Sequence, residues 1–468
     1  MAGVLETAAR LVSDPNARWV LGGTALLGLA GGVLGSFALL RRRALLADAL
    51  AHAALPGVCL AFLGSGSKEL PVLLAGAAAT GVLGTLAIVA ITRSTRVKED
   101  AALALVLSVF FGAGILLLTF VQKVPALDAS GLDRFIFGQA ATLLPGDLRL
   151  IAAVTAGLGA VTWLAFKELK LSVFDPLYAA SIGLPVRGLE LLLAGMIVLA
   201  VVVGLQAVGA VLIVALLVVP PAAARLWTAR LGSMTVLAGA IGAVAAGLGA
   251  ALSAVQVPGP AGAPVALPTG PVIVLAAAAA FVVSLLAAPH RGLVAAAIAR
   301  ARQRRRILAE NVLKTLYNLE EWRAPRGVPP GRAGSTLAEL QAVRRLPARR
   351  LARALARLRR ERLVERTAGT EPRWVLTEAG LREARRLVRS HRLWEVYLVE
   401  RAMVAPDHVH RDAEEAEHVL EPELLAELEQ RLGRPAHDVH GRPIPAGEEG
   451  QAGRGPAVPP PPGEEAAP

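Results

Sequence analysis

The stretch GGVLGSFALLRRRALLADALAHAALPGVCLAFL, residues 31–63, decides how the chain is read. Two apolar runs flank Arg41, Arg42 and Arg43, and the second carries Asp48 and His52 among alanines and leucines. Each run approaches the ~20 residues needed to cross a bilayer, and arginines between them suit a cytoplasmic turn. Asp48 and His52 are four apart, so a helix projects both from one face, one above the other. An ionisable side chain inside a span is expensive and by default marks a pathway or a site. A carboxylate oxygen beside an imidazole nitrogen suits Mn²⁺, Fe²⁺ or Zn²⁺. The same two residues suit an Asp–His hydrogen bond that locks two helices, and the pair alone leaves both readings open. Pro56–Gly57 predicts a break or kink just beyond the pair, of the kind tolerated where backbone lines a cavity.

Similar apolar runs recur on either side. They predict nine spans, at roughly 19–40, 44–63, 71–92, 101–122, 147–166, 189–206, 207–224, 233–254 and 271–288. The apolar stretch 189–224 is too long for one span, and Gly204, Gln206 and Gly209 are the candidates for its break. Lys and Arg cluster at 41–43, at 93–98, at Lys167 and Lys170, at Arg187, at Arg225 and Arg230, and from Arg291 onward. The opposite connections hold few cations. Nine spans place every basic cluster in the cytoplasm, with the N-terminus outside and the C-terminus inside. The first apolar segment is expected to be a retained span rather than a signal peptide. FIFGQAATLLP (135–145) is too short to span and reads as re-entrant or interfacial. Small residues in GLAGGVLGS (28–36) and AGAIGAVAAGLGAALS (238–253) suit close helix packing in lipid.

Composition changes sharply after residue 290. Of the 49 Lys/Arg and 37 Asp/Glu, residues 1–290 hold only 17 and 12, leaving a soluble, basic, charge-dense remainder. Six of the eight histidines lie between His391 and His440. The single cysteine, Cys59, excludes disulfide frameworks and Cys-ligated zinc sites. The expected fold is an all-α polytopic membrane domain (15–290), a winged-helix-like domain (301–380), a helical metal-binding and dimerisation domain (381–445) and a disordered Pro-rich tail (446–468). Within the soluble part, 301–319 reads as an amphipathic helix, 336–366 as two Arg-rich helices, 367–377 as a β-hairpin, and 378–433 as helical.

FDPLYAASIGLPVR (174–187) sits between two spans on the basic side. Asp175 as a cap with Pro176 after it opens a short helix, and Gly183 and Pro185 stop it. Such a helix, carrying Phe174, Asp175, Pro176, Ala180 and Gly183, is either a surface loop or a dock for an energy-supplying subunit. That subunit is a separate chain, since Gly-Lys followed by Ser or Thr occurs nowhere.

Residues 31–63 resemble the second-span region of the manganese/zinc/iron permeases of ATP-binding-cassette importers. RVKEDAALALVLSVFFGAGILLL (96–118), FDPLYAASIGLP and GLQAVGAVLIVALLVVPPAAARL (204–226) are similar to three further segments of that family. The resemblance implies a bacterial plasma-membrane permease, no enzyme itself, working with an ABC ATPase subunit, an extracellular metal-binding protein and a second permease copy or paralogue. It places Asp48 and His52 on the metal pathway, with Ala51 a departure where relatives often carry Ser. A permease for a metal–chelate is the rival, but it needs an aromatic-lined cavity, and the spans hold few aromatics.

In the soluble part, His391 and Glu395 lie one turn apart, and His410, Glu414, Glu417 and His418 share one narrow helix stripe. Three histidines and three carboxylates can build mixed N/O sites for Mn²⁺ or Fe²⁺; a solvated acidic face is the bland alternative. Upstream, Arg349, Arg350, Arg353, Arg357 and Arg360 crowd one helix ahead of the predicted hairpin. They read equally as a winged helix contacting DNA phosphates and as a face against anionic membrane lipid. Residues 301–445 resemble the iron- and manganese-responsive repressors of the diphtheria toxin repressor family, through 373–400, 409–433 and HDVHGRPIP (437–445). That resemblance puts His391, Glu395, His410, Glu414, Glu417 and His418 at ligand positions, and Glu414 leans the set toward manganese. Asn311 and Lys314 depart from it, standing where relatives often supply a ligand, and the tail leaves no room for the further domain of larger members. The expected whole is a divalent-metal permease whose appended domain senses metal and inhibits transport. The alternative is a membrane-tethered regulator of transcription.

Overall fold

The computed structural model describes residues 14–41, 46–66, 69–123, 143–258, 264–323, 333–368, 370–405 and 422–446. Its contacts divide into two units, with the boundary between Ala297 and Ile298.

The first unit is built from long helices. Among the described residues, nine are long and apolar enough to cross a membrane: α1 (Pro15–Leu40), α2 (Leu46–Ser65), α3 (Leu70–Ser94), α4 (Glu99–Lys123), α5 (Pro145–Leu164), α8 (Val186–Val208), α9 (Ala210–Trp227), α10 (Leu231–Ser253) and α11 (Thr269–Ala287). Between α5 and α8 lie two short helices, α6 (Phe166–Phe174) and α7 (Pro176–Ser181). Prolines open α1, α3, α5 and α7, where a missing N–H costs nothing. At α1 the Asp14 carboxylate also accepts a hydrogen bond from the Asn16 N–H, at 2.9 Å. Residues 135–142 of the predicted re-entrant segment lie outside the described residues.

The long apolar stretch breaks at Gly209, whose φ of +84° is a conformation few L residues adopt. It caps α8 and starts α9, while Gly204 stays inside α8. Gly204 has another role: a Cβ there would lie 2.5 Å from Ile213 of α9. The expected break at Pro56–Gly57 does not occur, and α2 runs through both residues as helix. Gly57 is spent on packing instead, since a Cβ there would lie 2.1 Å from the Gly76 carbonyl oxygen of α3. The same device joins α1 to α10, where a Cβ on Gly28 would sit 2.2 Å from the Gly242 oxygen. Around these contacts lies a core that includes Leu34, Phe37, Leu50, Leu103, Ile197 and Leu216. A two-stranded antiparallel pair, β1 (Gln256–Pro258) and β2 (Pro264–Ala266), joins α10 to α11.

The second unit follows the order helix, helix, helix, hairpin, helix, helix. Its elements are α12 (Leu293–Arg323), α13 (Leu337–Arg344), α14 (Ala348–Arg360), β3 (Val364–Arg366), β4 (Trp374–Leu376), α15 (Glu378–Glu400) and α16 (Pro422–Arg431). Helix α12 begins well before the expected residue 301, because the Ala-rich run VAAAIARA (294–301) favours helix. Thr336 and Glu339 form a capping box that starts α13. In α14, Leu351, Ala354, Leu355 and Leu358 are buried at helical spacing and join Val312, Leu313, Leu316 and Leu387 in one core.

The hairpin is displaced from its expected position at 367–377. Helix α14 ends at Arg360, Arg362 takes a left-handed φ of +58°, and β3 pairs Val364 with Leu376 of β4. Beyond the strand ends, the Thr367 N–H donates to the Arg373 carbonyl at 2.9 Å.

Candidate functional site

Asp48 stands in the first turn of α2 and His52 one turn later. His52 Nε2 lies 3.5 Å from Asp48 Oδ1, and both side chains are partly accessible, at 27 % and 37 %. The Phe111 ring of α4 meets the imidazole edge-on, with centroids 4.6 Å apart. The flanking Ala47, Ala49, Ala51 and Ala53 are buried. An oxygen and a nitrogen 3.5 Å apart subtend about 110° at an ion with metal–ligand bonds of about 2.1 Å, so both can bind one ion with little rearrangement. Phe111 limits the room on one side and fixes the ring.

At the basic end of the same unit, Asp175 caps α7 by accepting from the Tyr178 N–H at 2.9 Å. Pro176 takes the first helical position. Gly183 turns the chain with φ +85°, donating to the Ala180 carbonyl at 3.1 Å. Ala179 is fully buried and seats the helix, while Phe174, Leu177, Tyr178 and Ile182 are all more than half exposed. The sequence reading picked out the cap and the turn. It missed what holds them: Arg41, 8 % exposed at the end of α1, donates to the Ser172 carbonyl and hydroxyl, both at 3.1 Å, and pairs with Glu190 at 3.1 Å. The guanidinium thus ties α1 to the chain before and after α7. Arg41 was visible only as part of a basic cluster, because its partners lie far away in sequence.

In the second unit, His391 and Glu395 share a face of α15, with His391 Nε2 3.1 Å from Glu395 Oε1 and both nearly inaccessible. Lys314 of α12, 4 % exposed, brings its Nζ within 3.4 Å of His391 Nδ1. A cavity of about 240 Å³ opens beside them, lined also by Asn318, Asp438, His440 and Arg442. Arg392 pairs with both oxygens of Glu321, at 3.1 and 2.5 Å, and donates to the Pro443 carbonyl at 2.6 Å. That folds HDVHGRPIP back onto α15. His410, Glu414, Glu417 and His418 lie outside the described residues. Among the described residues no group of three or more His, Cys, Asp or Glu side chains is placed to hold a metal ion.

On α14, Arg349, Arg350, Arg353 and Arg360 face outward, while Arg357 is half-buried and paired with Glu361 at 2.8 Å. Arg344, at the end of α13, is structural, donating to the Thr315 hydroxyl at 2.7 Å and the Asn311 carbonyl at 3.1 Å.

Comparison with known proteins bears on both units. Residues 13–288 match the ABC 3 transport family, and residues 377–446 match the iron dependent repressor, metal binding and dimerisation domain. The manganese transport system membrane protein MntC of Bacillus subtilis is 44 % identical over 388 residues, covering 83 % of this chain and 85 % of that protein. The zinc transport system membrane protein TroC of Treponema pallidum is 46 % identical over 285 residues, 61 % of this chain and 93 % of that protein. Among solved structures, PsaBC from Streptococcus pneumoniae in complex with Fab is similar with a TM-score of 0.53 and 30 % identity. The match covers 62 % of this chain and 97 % of that one.

Proposed function

Because the chain belongs to the ABC 3 transport family, we infer that it is the membrane permease subunit of an ATP-driven importer for a divalent transition metal. It is a transport subunit and not an enzyme. The observation that carries the reading is the Asp48–His52 pair, a carboxylate oxygen and an imidazole nitrogen 3.5 Å apart in a span, with access to both. A carboxylate and an imidazole replace part of an ion's hydration shell, and the family relatives are named for manganese and zinc. The absence of sulfur from the pair and the carboxylates of the 410–418 segment favour Mn²⁺ over softer ions, with Fe²⁺ and Zn²⁺ the competitors.

The remaining parts follow from this role. The exposed Phe174, Leu177, Tyr178 and Ile182 around α7 are the dock for a separate ATPase subunit, positioned by Asp175, Pro176, Ala180 and Gly183. An extracellular metal-binding protein delivers the ion, and a second permease copy or paralogue completes the pathway. The distribution of Lys and Arg supports a cytoplasmic location for α7 and the second unit, with the N-terminus outside. The second unit reads cytoplasmic metal, its ligands drawn from His410, Glu414, Glu417 and His418, and inhibits transport when metal is plentiful.

A second reading is favoured by one observation: the outward Arg349, Arg350, Arg353 and Arg360 of α14 make a surface for a polyanion, either DNA or anionic lipid. Binding of the full chain in nanodiscs to DNA, across salt concentrations and with neutral or anionic lipid, separates the two. The principal reading is tested by uptake of Mn²⁺ into vesicles holding the chain, its ATPase and its binding protein. Excess Mn²⁺, Fe²⁺ or Zn²⁺ should suppress uptake and a metal–chelate should not. Suppression by the chelate alone contradicts the bare-ion reading.

A further inference from the structure

The His391–Glu395 pair has the chemistry of a metal site, and its donor spacing of 3.1 Å alone is compatible with one ion. What stands beside it is not. Lys314 is buried on α12 with its ammonium 3.4 Å from His391 Nδ1. An ammonium has three donors and no acceptor, so Nδ1 meets it with its lone pair. In the neutral imidazole the proton then sits on Nε2, where it faces the Glu395 carboxylate at 3.1 Å. Both ring nitrogens are thereby committed, and neither offers a lone pair to a metal. A divalent ion placed here would also share a buried pocket with a fixed positive charge, where low dielectric magnifies repulsion.

We propose that Lys314 is the resident cation of this site: its ammonium, not a divalent metal, is what His391 holds at Nδ1 while Glu395 takes up Nε2. The tie it makes is between α12 and α15, so these two helices are joined at every metal concentration. This rests on the reading of the second unit as a metal sensor, and it removes the His391–Glu395 pair from that sensor's ligands.

The test counts Mn²⁺ bound to the full-length chain in nanodiscs, by the loss of the free-ion electron paramagnetic resonance signal during titration. His391→Ala is expected to leave the number of bound ions unchanged. Should that variant elute as aggregate, His391→Gln, which keeps a hydrogen-bonding group but is a poor ligand, takes its place. Lys314→Glu, which exchanges the ammonium for a carboxylate, is expected to bind one ion more than wild type, and adding His391→Ala should abolish the gain. The proposal is overturned if the His391 variant of the otherwise wild-type chain binds one ion fewer, or if Lys314→Glu and wild type bind the same number. Failure of the sensor reading looks different: Glu414→Ala with His418→Ala then leaves the wild-type count untouched.

Discussion

Glu320 is buried on α12 at 2 % exposure, and one of its oxygens accepts from the Gly334 N–H at 3.2 Å. The other finds no hydrogen-bond partner among the described residues. Burial raises its pKa above the ordinary carboxylate range, outweighing the Gly334 hydrogen bond and the Arg323 charge. The folded chain therefore binds this proton more tightly than the unfolded one. Stability contributed by the protonated form is lost as pH climbs through the raised value. Glu320→Gln keeps an acceptor for Gly334 and removes the charge. Calorimetry of the full chain should find it more stable than wild type at pH 7.5, by on the order of a few °C, and no different below about pH 4. A lower melting temperature at pH 7.5 contradicts this account. Single residues also show what a sequence hides. Asp48 and His52 announced their proximity because four residues is one helical turn. Arg41 with Ser172 and Glu190, and Lys314 with His391, are pairings across elements that no local period encodes.

Helices were legible where apolar length decided them, and all nine predicted spans have a counterpart helix. Punctuation was less so. Gly209 broke the long run as one of three candidates, whereas α2 runs unbroken through Pro56–Gly57, and Gly57 lets α3 approach. In the second unit the hairpin begins three residues earlier than its alternating pattern implied, at Val364, just after Arg362 takes a left-handed turn. Close approach makes a sharp comparison within α10. A Cβ on Gly242 meets the Gly28 oxygen at 2.1 Å, while one on Gly247 meets nothing within 4 Å. Gly242→Leu should force α1 and α10 apart and abolish monodisperse protein in detergent, and Gly247→Leu should be tolerated. Equal behaviour of the two variants argues against this helix pairing.

At the level of the complete chain, composition changes after residue 290, and contacts place a boundary between Ala297 and Ile298. What composition could not convey was which ligand-type residues converge, since that depends on how α12 and α15 pack. If the second unit reads metal and restrains the permease, the linkage is reciprocal: the transporter's state alters metal affinity at the sensor by the same factor. Glu414→Ala with His418→Ala should then raise cellular Mn²⁺ accumulation in high-manganese medium, and unchanged accumulation removes the inhibitory role. The central claim is simpler, that a dehydrated cation passes between Asp48 and His52. Its most direct test is radioactive Mn²⁺ uptake into vesicles carrying the ATPase, the binding protein and either the wild-type chain or the Asp48→Ala/His52→Ala variant, with ATPase co-purification confirming assembly. The account predicts uptake reduced to the level without ATP, and uptake at the wild-type rate contradicts it.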